Sequence, residues 1–235
     1  MKGYGQFCPI AKASEILCER WVPLVLREIM YGSARFNDIA RGVPLMSRGL
    51  LAGRLRLLRD AGVVQLDGTT YRLTASGEAL RPILDEMGQW AQRWGIAVLT
   101  DHDVDDRLLI WHLRRTLRLP ESLHGRRVVV RFDFYGLPRG SRLARRSWWL
   151  VAEHGEVDLC YKNPGHEVDV TITADVRAFL DVLLGHRKLA DAARSRTVRI
   201  EGDAALVRVI SRWIPEAGGP PLVAAQALEA LTMQA

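Results

Sequence analysis

Residues 46–73 read MSRGLLAGRLRLLRDAGVVQLDGTTYRL, and the patterns in this stretch decide the fold of the first part of the chain. The first half spaces its leucines as a helix does and begins at Ser47, whose hydroxyl can cap the free N–H groups of a first turn. The second half is a short apolar run, an Asp-Gly turn and another short run, which predicts a β-hairpin. A helix pair, a basic helix and a hairpin in this order are typical of a winged helix-turn-helix.

The two sides of the predicted helix differ in size and charge. The apolar side carries Leu50, Leu51, Arg54, Leu55, Leu57 and Leu58. The opposite side carries small residues and arginines, with the last two at its margin: Gly49, Ala52, Gly53, Arg56, Arg48 and Arg59. Small residues flanked by arginines allow a helix to enter a major groove while the cations reach phosphates and guanine edges. The alternative is a surface helix whose arginines only face water.

From this pattern we predict a set of residues that contact double-stranded DNA. It draws on the helix and on the tip of the hairpin, which is expected beside the phosphate backbone or in a minor groove. The set is Ser47, Arg48, Gly49, Ala52, Gly53, Arg56, Arg59, Thr69 and Thr70. Arg54 points to the apolar side, so we expect it to form a structural ion pair with Asp38 or Glu28.

Helical patterns lie on both sides of this stretch. Residues 13–30 have apolar helical spacing that Pro23 interrupts, which predicts two helices or one kinked helix, and a short helix follows at 36–40. After the hairpin, a helix from Thr74 carries an apolar stripe as far as Trp94. The stripe either packs within one chain or forms a dimer seam. We expect a homodimer, because paired half-sites give such domains their specificity.

The first part of the chain, over about residues 7–97, resembles the HxlR-type branch of winged-helix regulators. The resemblance rests on an ordered series: FCPIA at 7–11, WVPLVLREI at 21–29, RFNDI at 35–39, Met46-Ser47, Arg54-Leu55, GVV at 62–64 and YRLT at 71–74. It implies a dimeric transcription regulator. In some relatives a cysteine near the N-terminus senses oxidants or electrophiles, and Cys8 occupies the matching Cys-Pro position. The alternative for Cys8 is a small buried apolar residue.

The composition is that of an ordinary globular protein: 235 residues, 48% hydrophobic and 26% charged. The net charge is +6, and the excess is denser in residues 1–100, which favours an anionic partner. No run of residues resembles a secretory signal or a membrane span, so we expect a cytoplasmic protein without a membrane partner. Three scattered cysteines predict neither a disulfide framework nor a zinc site.

Motifs of common enzyme classes do not occur in the sequence. It contains no GxSxG, no phosphate-binding P-loop, no GxGxxG and no HExxH, and its six histidines are dispersed. We therefore expect no catalytic residues, no cofactor and no metal.

The character of the chain changes at the acidic segment 100–106, which predicts two domains, 1–100 and 101–235. The second domain has a helical pattern at 105–119 and then strand patterns at 127–134, 147–152, 157–161 and 167–173. A helix at 175–184, a strand at 197–200 and a helix at 203–213 follow. The predicted fold class is α+β: a winged helix-turn-helix domain followed by an antiparallel sheet with helices on one side.

Residues of about 107–214 resemble sterol carrier protein type two domains. The resemblance rests on WWLV at 148–151, HGEV at 154–157, VDVTIT at 168–173, LLG at 183–185 and IEGD at 200–203. It implies an apolar cavity for a small hydrophobic molecule. The candidate lining residues, for which core packing is the alternative, are Trp111, Phe132, Phe134, Trp148 and Trp149. Strand side chains alternate, so Trp148 and Trp149 cannot both face a cavity.

The sequence thus predicts a DNA-binding transcription regulator, a dimeric repressor on a palindromic operator that responds to a hydrophobic ligand in the second domain. The alternative is a carrier of lipids or small hydrophobic molecules whose winged domain makes protein contacts only. Two further segments have open roles. The basic loop 139–146 could guide an anionic headgroup or a phosphate backbone, and the apolar stripe at 222–231 could cover a cavity or a neighbouring subunit.

Overall fold

The computed structural model describes residues 3–94, 100, 103–116, 125–137 and 145–213. The chain divides into two compact units, Met1–Ala91 and Gln92–Ala235, whereas the sequence placed the boundary near residue 100. Each unit is described by itself below. Over the described ranges, no helix is long and apolar enough to cross a membrane.

The N-terminal unit is a set of helices with one hairpin. In chain order it contains α1 (Pro9–Leu17), α2 (Val22–Met30), α3 (Phe36–Gly42), α4 (Arg48–Asp60), β1 (Val64–Asp67), β2 (Thr70–Leu73), α5 (Ala75–Glu78) and α6 (Arg81–Arg93). Pro23 lies in the first turn of α2, where its missing N–H costs no helical hydrogen bond, so the interrupted pattern is two helices. The predicted order of helices and hairpin is confirmed.

The core of this unit is formed by apolar residues of α2, α3 and α4, among them Leu26, Ile39 and Leu55. Beside it lies Glu28, a fully buried carboxylate that accepts hydrogen bonds from Arg27 Nη2 at 2.9 Å and Ser33 Oγ at 3.2 Å. Gly42 leaves room for this carboxylate, because a Cβ built there would lie 1.9 Å from Glu28 Cδ.

Arg54 has the structural role that the sequence predicted, but the predicted partner was wrong. Its Nη2 atom lies 2.7 Å from Glu19 Oε2, and its Nε donates to the carbonyl of Arg20 at 3.0 Å. The two predicted partners are engaged elsewhere, Glu28 with Arg27 and Asp38 with Arg41. Arg54 therefore ties α4 to the turn between α1 and α2.

The C-terminal unit is an α+β fold. It contains α7 (Asp106–Thr116), β3 (Val128–Tyr135), β4 (Arg145–Glu153), β5 (Glu156–Cys160), β6 (Val170–Asp175), α8 (Val176–Leu183), α9 (Leu189–Arg194), β7 (Val198–Gly202) and α10 (Ala204–Trp213). The sheet order is β5-β4-β3-β6-β7. The short helix α9 was not predicted from the sequence.

The sheet is mostly antiparallel, as predicted, but it contains one parallel pair, β3 and β6. The β4–β5 hairpin occupies one side of β3. The chain then returns along 161–169, and β6 pairs with the other side of β3 in the same direction, with Phe132 opposite Ile172. A sequence pattern shows which segments are strands but not the direction in which distant strands pair.

The core of the C-terminal unit lies on one face of the sheet. Alternate residues of β3, such as Val130 and Phe132, pack there with Leu109 of α7 and Phe179 of α8. The helices thus cover one face, which agrees with the predicted arrangement. The segment 222–231 and residues 139–144 of the basic loop lie outside the described residues.

Candidate DNA-binding surface and ligand cavity

One face of α4 is fully exposed and carries small residues at its middle. Leu51, Leu55 and Leu58 are buried, while Gly49, Ala52, Gly53, Arg56 and Arg59 are exposed. A Cβ built on either glycine would meet no atom within 4 Å. Another molecule can therefore approach the helix backbone closely along this face. Ser47 caps the helix as predicted, since its Oγ accepts a hydrogen bond from Leu50 N at 3.3 Å.

Arg56 and Arg59 supply the cationic charge of this face. Within the described part of the chain, neither guanidinium has a hydrogen-bond or ion-pair partner, in contrast to Arg54 on the same helix. An unpaired guanidinium can form charge-assisted hydrogen bonds with phosphate oxygens or with a guanine edge. The two arginines are therefore the available cations of α4.

Arg48 lies at the start of α4 and contacts α3. Its Nη2 donates to Asn37 Oδ1 at 2.8 Å, and its guanidinium carbon lies 4.9 Å from the centre of the Phe36 ring. These contacts orient the side chain while it stays exposed. A contact between Arg48 and DNA would therefore start from an ordered side chain.

The β1–β2 hairpin is the wing of this fold. It places the two threonines of the predicted DNA-contact set in different environments. Thr69 is exposed at the turn, next to Gly68 with a φ of 57°. Thr70 is half-buried in β2, where it pairs with Asp67 on one side and forms a bridge to Arg35 on the other. Asp67 is exposed beside the turn and would repel a nearby phosphate, so the wing tip is less suited to DNA than α4.

An apolar stripe along α6 is exposed to solvent. The exposed fractions are 48% for Ile83, 52% for Met87 and 57% for Trp90. On the same helix, Asp85 has a buried Oδ1 atom without a hydrogen-bond partner among the described residues, and burial raises the pKa of its carboxyl. Phe7 and Ile10, at the start of the chain, are also exposed.

The three cysteines occupy different surroundings. Cys8 is half-buried and directly precedes α1, and the amino group of Lys12, on the same helix, forms an ion pair with Glu15 at 3.1 Å. Cys18 is exposed, and burial together with Asp158 raises the pKa of the Cys160 thiol. A sensing role for Cys8 stays a prediction.

Two of the five aromatic candidates for ligand contact pack as core. The rings of Phe132 and Phe134 lie 5.9 Å apart, and their centres lie 6.2 and 5.7 Å from that of Phe179. All three side chains are buried. The three rings pack against one another, so the space between them is filled by the rings themselves.

The three tryptophans are buried as well, in separate places. The indole N–H of Trp148 donates to Asp106 Oδ2 at 2.8 Å; burial raises the pKa of that carboxyl, while Trp148 and Arg146 partly offset the rise. Trp149 points to the other face of the sheet, where the guanidinium of Arg131 lies 5.7 Å from its ring. The predicted alternation of Trp148 and Trp149 is confirmed. Trp111 in α7 packs under the guanidinium of Arg114, at 5.0 Å.

A cavity of about 660 Å³ opens between α9, β7 and α10. Its described lining residues are Lys188, Leu189, Ala190, Ala193, Arg196, Val198, Arg199, Ile200 and Val207, and none of the five aromatic candidates is among them. The volume lies within the roughly 300–1,000 Å³ of small-molecule sites. The sequence offered no signal for this cavity, because its small, aliphatic and basic lining residues come from separate segments of the chain.

Two family models match separate parts of the chain. Residues 16–98 match the model of the HxlR-like helix-turn-helix family, and residues 121–214 match that of the SCP-2 sterol transfer family. The regulator YvaP of Bacillus subtilis, an uncharacterized HTH-type transcriptional regulator, is 39% identical over 98 residues, which are 38% of this chain and 91% of YvaP.

Solved structures similar to the two parts are also known. A crystal structure of quinone-bound YodB from B. subtilis is 34% identical, with a TM-score of 0.35, and covers 37% of this chain and 99% of YodB. A solution structure of sterol carrier protein domain 2 from Helicoverpa armigera is 22% identical, with a TM-score of 0.31, and covers 46% of this chain and 74% of that one.

The chain belongs to the HxlR-like helix-turn-helix family of transcriptional regulators. Its residues 121–214, less than half of the chain, are similar to the SCP-2 sterol transfer family.

Proposed function

We propose that the protein is a cytoplasmic, non-enzymatic repressor that binds a palindromic operator as a homodimer and responds to a small ligand in its C-terminal unit. The observation that carries DNA binding is the exposed face of α4. Its backbone is open at Gly49 and Gly53, and Arg56 and Arg59 flank it without competing partners among the described residues. A helix with this surface fits a major groove.

The exposed stripe of α6 supports the dimer. Ile83, Met87 and Trp90 lie at helical spacing on one face, and each is about half exposed. A patch of large apolar side chains at the surface is typical of a protein interface, and aromatic residues carry much of the binding free energy in such interfaces. A twofold pair would present two α4 helices to successive turns of the duplex.

The cavity between α9, β7 and α10 supports ligand control. A ligand changes DNA affinity only if it binds one conformation of the regulator better than another. Useful switches have a coupling free energy of about 1–3 kcal/mol. The cavity also supports the alternative function, a carrier of small hydrophobic molecules.

The proposal is tested by titrating DNA from upstream of the protein's own gene and following the shift in a native gel or the anisotropy of a labelled duplex. We expect specific binding, and we expect Arg56→Ala to weaken it by roughly tenfold while lowering the slope of log K against log salt by about 1. Arg107→Ala is the matched control, because Arg107 is also an exposed helical arginine but lies on α7.

Three results would contradict the proposal. The first is that no specific complex forms, which would favour the carrier function. The second is that Arg56→Ala binds with unchanged affinity and salt slope. The third is that Arg107→Ala weakens binding as much as Arg56→Ala does.

A further inference from the structure

The strand β7 forms one edge of the five-stranded sheet, since β6 is the only described strand that pairs with it. The cavity between α9, β7 and α10 is lined by three consecutive residues of this strand, Val198, Arg199 and Ile200. Neighbouring side chains of a strand point to opposite faces of a sheet. A cavity that touches all three residues therefore runs along the edge of the strand, and another strand can approach β7 from this side.

The backbone of β7 directs a row of hydrogen-bonding groups to this edge. At one end of the β6–β7 ladder, Asp175 N donates to the carbonyl of Thr197 at 2.8 Å, and a bond of the same kind closes the other end at 3.1 Å. Hydrogen-bonded pairs alternate with non-bonded pairs along an antiparallel ladder. Val198 and Ile200 therefore point their N–H and C=O groups away from β6, and no hydrogen bond to these groups is found among the described residues.

The charged residues of β7 are complementary to those of a second, antiparallel β7. Arg199 and Glu201 lie on the same face of the strand and form an ion pair, with Nη1 and Oε1 3.7 Å apart, and their side chains are 61% and 60% exposed. Two such strands related by a twofold axis at Ile200 place Arg199 opposite the partner's Glu201, and Glu201 opposite the partner's Arg199. Each guanidinium then lies between two carboxylates, and opposite charges on directly opposed residues stabilise a sheet.

The strand at the opposite edge of the sheet, β5, carries charges of one sign. Its two charged residues, Glu156 and Asp158, are both exposed and acidic, and Arg114 of α7 lies 3.9 Å from Asp158. Two copies of β5 paired in the same way would place carboxylates opposite each other, which destabilises a sheet. Charges at an edge strand commonly prevent pairing between molecules in this manner. The two edges therefore differ, and β7 is the one suited to a second copy.

From the open edge, the outward backbone groups and the complementary charges, we infer that β7 pairs antiparallel with β7 of a second copy of this chain. Ile200 exchanges two backbone hydrogen bonds with the partner's Ile200, and Val198 lies opposite the partner's Gly202. The two sheets become one continuous sheet. The partner strand lies along the open side of the cavity, so the pairing is compatible with a ligand in that cavity. The inference does not rest on DNA binding or on the α6 seam.

The register of the pairing is tested by disulfide cross-linking of full chains in which Cys8, Cys18 and Cys160 are replaced by alanine. A chain with Arg199→Cys is mixed with a chain with Glu201→Cys, and the disulfide-linked dimer is measured on a non-reducing gel. In the inferred register these two positions are directly opposed, with Cα atoms about 4.5 Å apart, whereas two copies of either position are about 7–8 Å apart. We expect at least about tenfold more dimer from the mixture than from either chain alone, because disulfides require Cα atoms within about 7 Å.

The matched control places the same pair of cysteines on the other edge strand. A mixture of chains with Glu156→Cys and Asp158→Cys should give no more dimer than either chain alone, since β5 is not expected to pair. The circular dichroism spectrum of each variant is compared with that of the parent, so that a cross-link is counted only between folded chains.

The contribution of charge is measured with Ile200→Cys, which cross-links to its own copy because the two central Cα atoms are about 5.5 Å apart. Adding Arg199→Glu places four carboxylates on the paired strands and should slow cross-linking by roughly tenfold. Adding Glu201→Arg to that variant exchanges the two charges, and it should restore the rate to within about twofold.

The inference is overturned if the β7 mixture gives no more dimer than its separate chains, or if the β5 mixture cross-links as well as the β7 mixture. It is also overturned if Arg199→Glu leaves the rate of cross-linking unchanged, or if the exchanged charges fail to restore it. Binding of the upstream DNA is measured separately, so failure of this inference leaves the evidence for the regulator unchanged.

Discussion

The helices α6 and α8 are both amphipathic, but they differ in what covers their apolar residues. On α8, Phe179 and Val182 are completely buried in the core of the C-terminal unit. On α6, Met87 and Trp90 are about half exposed. The C-terminal unit thus buries the apolar face of its amphipathic helix in its own core, whereas the apolar face of α6 is exposed among the described residues. Under the proposed function, a second copy of the chain covers this face.

The largest effect is expected from Phe179→Ala, which removes a buried ring of α8. Removing a fully buried ring that contacts Phe132 and Phe134 should lower the free energy of unfolding by about 3–5 kcal/mol. Denaturant unfolding measures this loss. Leu180→Ala, on the same helix but only partly buried, is the control and should cost clearly less. Equal losses for the two variants would mean that α8 does not pack as described.

Trp90→Glu addresses the exposed side. Because Trp90 is exposed within one chain, the variant should fold normally but associate about thirtyfold more weakly, as expected for loss of an interface residue worth about 2 kcal/mol. Sedimentation equilibrium measures the change. Glu86→Gln alters an exposed polar residue of the same helix and should leave association unchanged. A wild-type protein that stays monomeric at all concentrations would refute the proposed seam.

A smaller effect is expected from Asp85→Asn, which tests the burial of the Asp85 carboxyl on α6. Burial raises the pKa of Asp85, so the folded protein favours the protonated form. Its contribution to stability is present below the pKa of an ordinary aspartate and is lost as the pH rises through the raised value. We expect Asp85→Asn to be more stable than the wild type at neutral pH and to lose that advantage in acid. Thermal unfolding across this pH range measures the difference, and parallel pH profiles would contradict the assignment.

Much of the fold followed from local patterns in the sequence. Ser47 with the leucine spacing after it predicted α4 and its cap, Asp67-Gly68 predicted the hairpin, and alternation predicted that Trp148 and Trp149 face opposite sides. Each of these features depends on residues close in sequence. The small residues and arginines on one side of α4 also followed from helical periodicity alone.

Features that depend on distant residues could not be predicted. The partner of Arg54 is Glu19 because the turn before α2 folds against α4, and no spacing rule shows that. The parallel pairing of β3 and β6 could not be predicted for the same reason, because the two strands are distant in the sequence. The cavity was missed because its lining residues are distant in the sequence and come together only when α9, β7 and α10 are assembled. The five aromatic residues that we predicted to contact a ligand do not line this cavity.

In the proposed complex, two copies of the exposed face of α4 bind one DNA duplex. Hydroxyl-radical footprinting of the upstream DNA tests this most directly. We expect two protected segments about one helical turn apart, both lost with Arg56→Ala at a protein concentration that saturates the wild type. A single protected segment, or an unchanged footprint with Arg56→Ala, would contradict it.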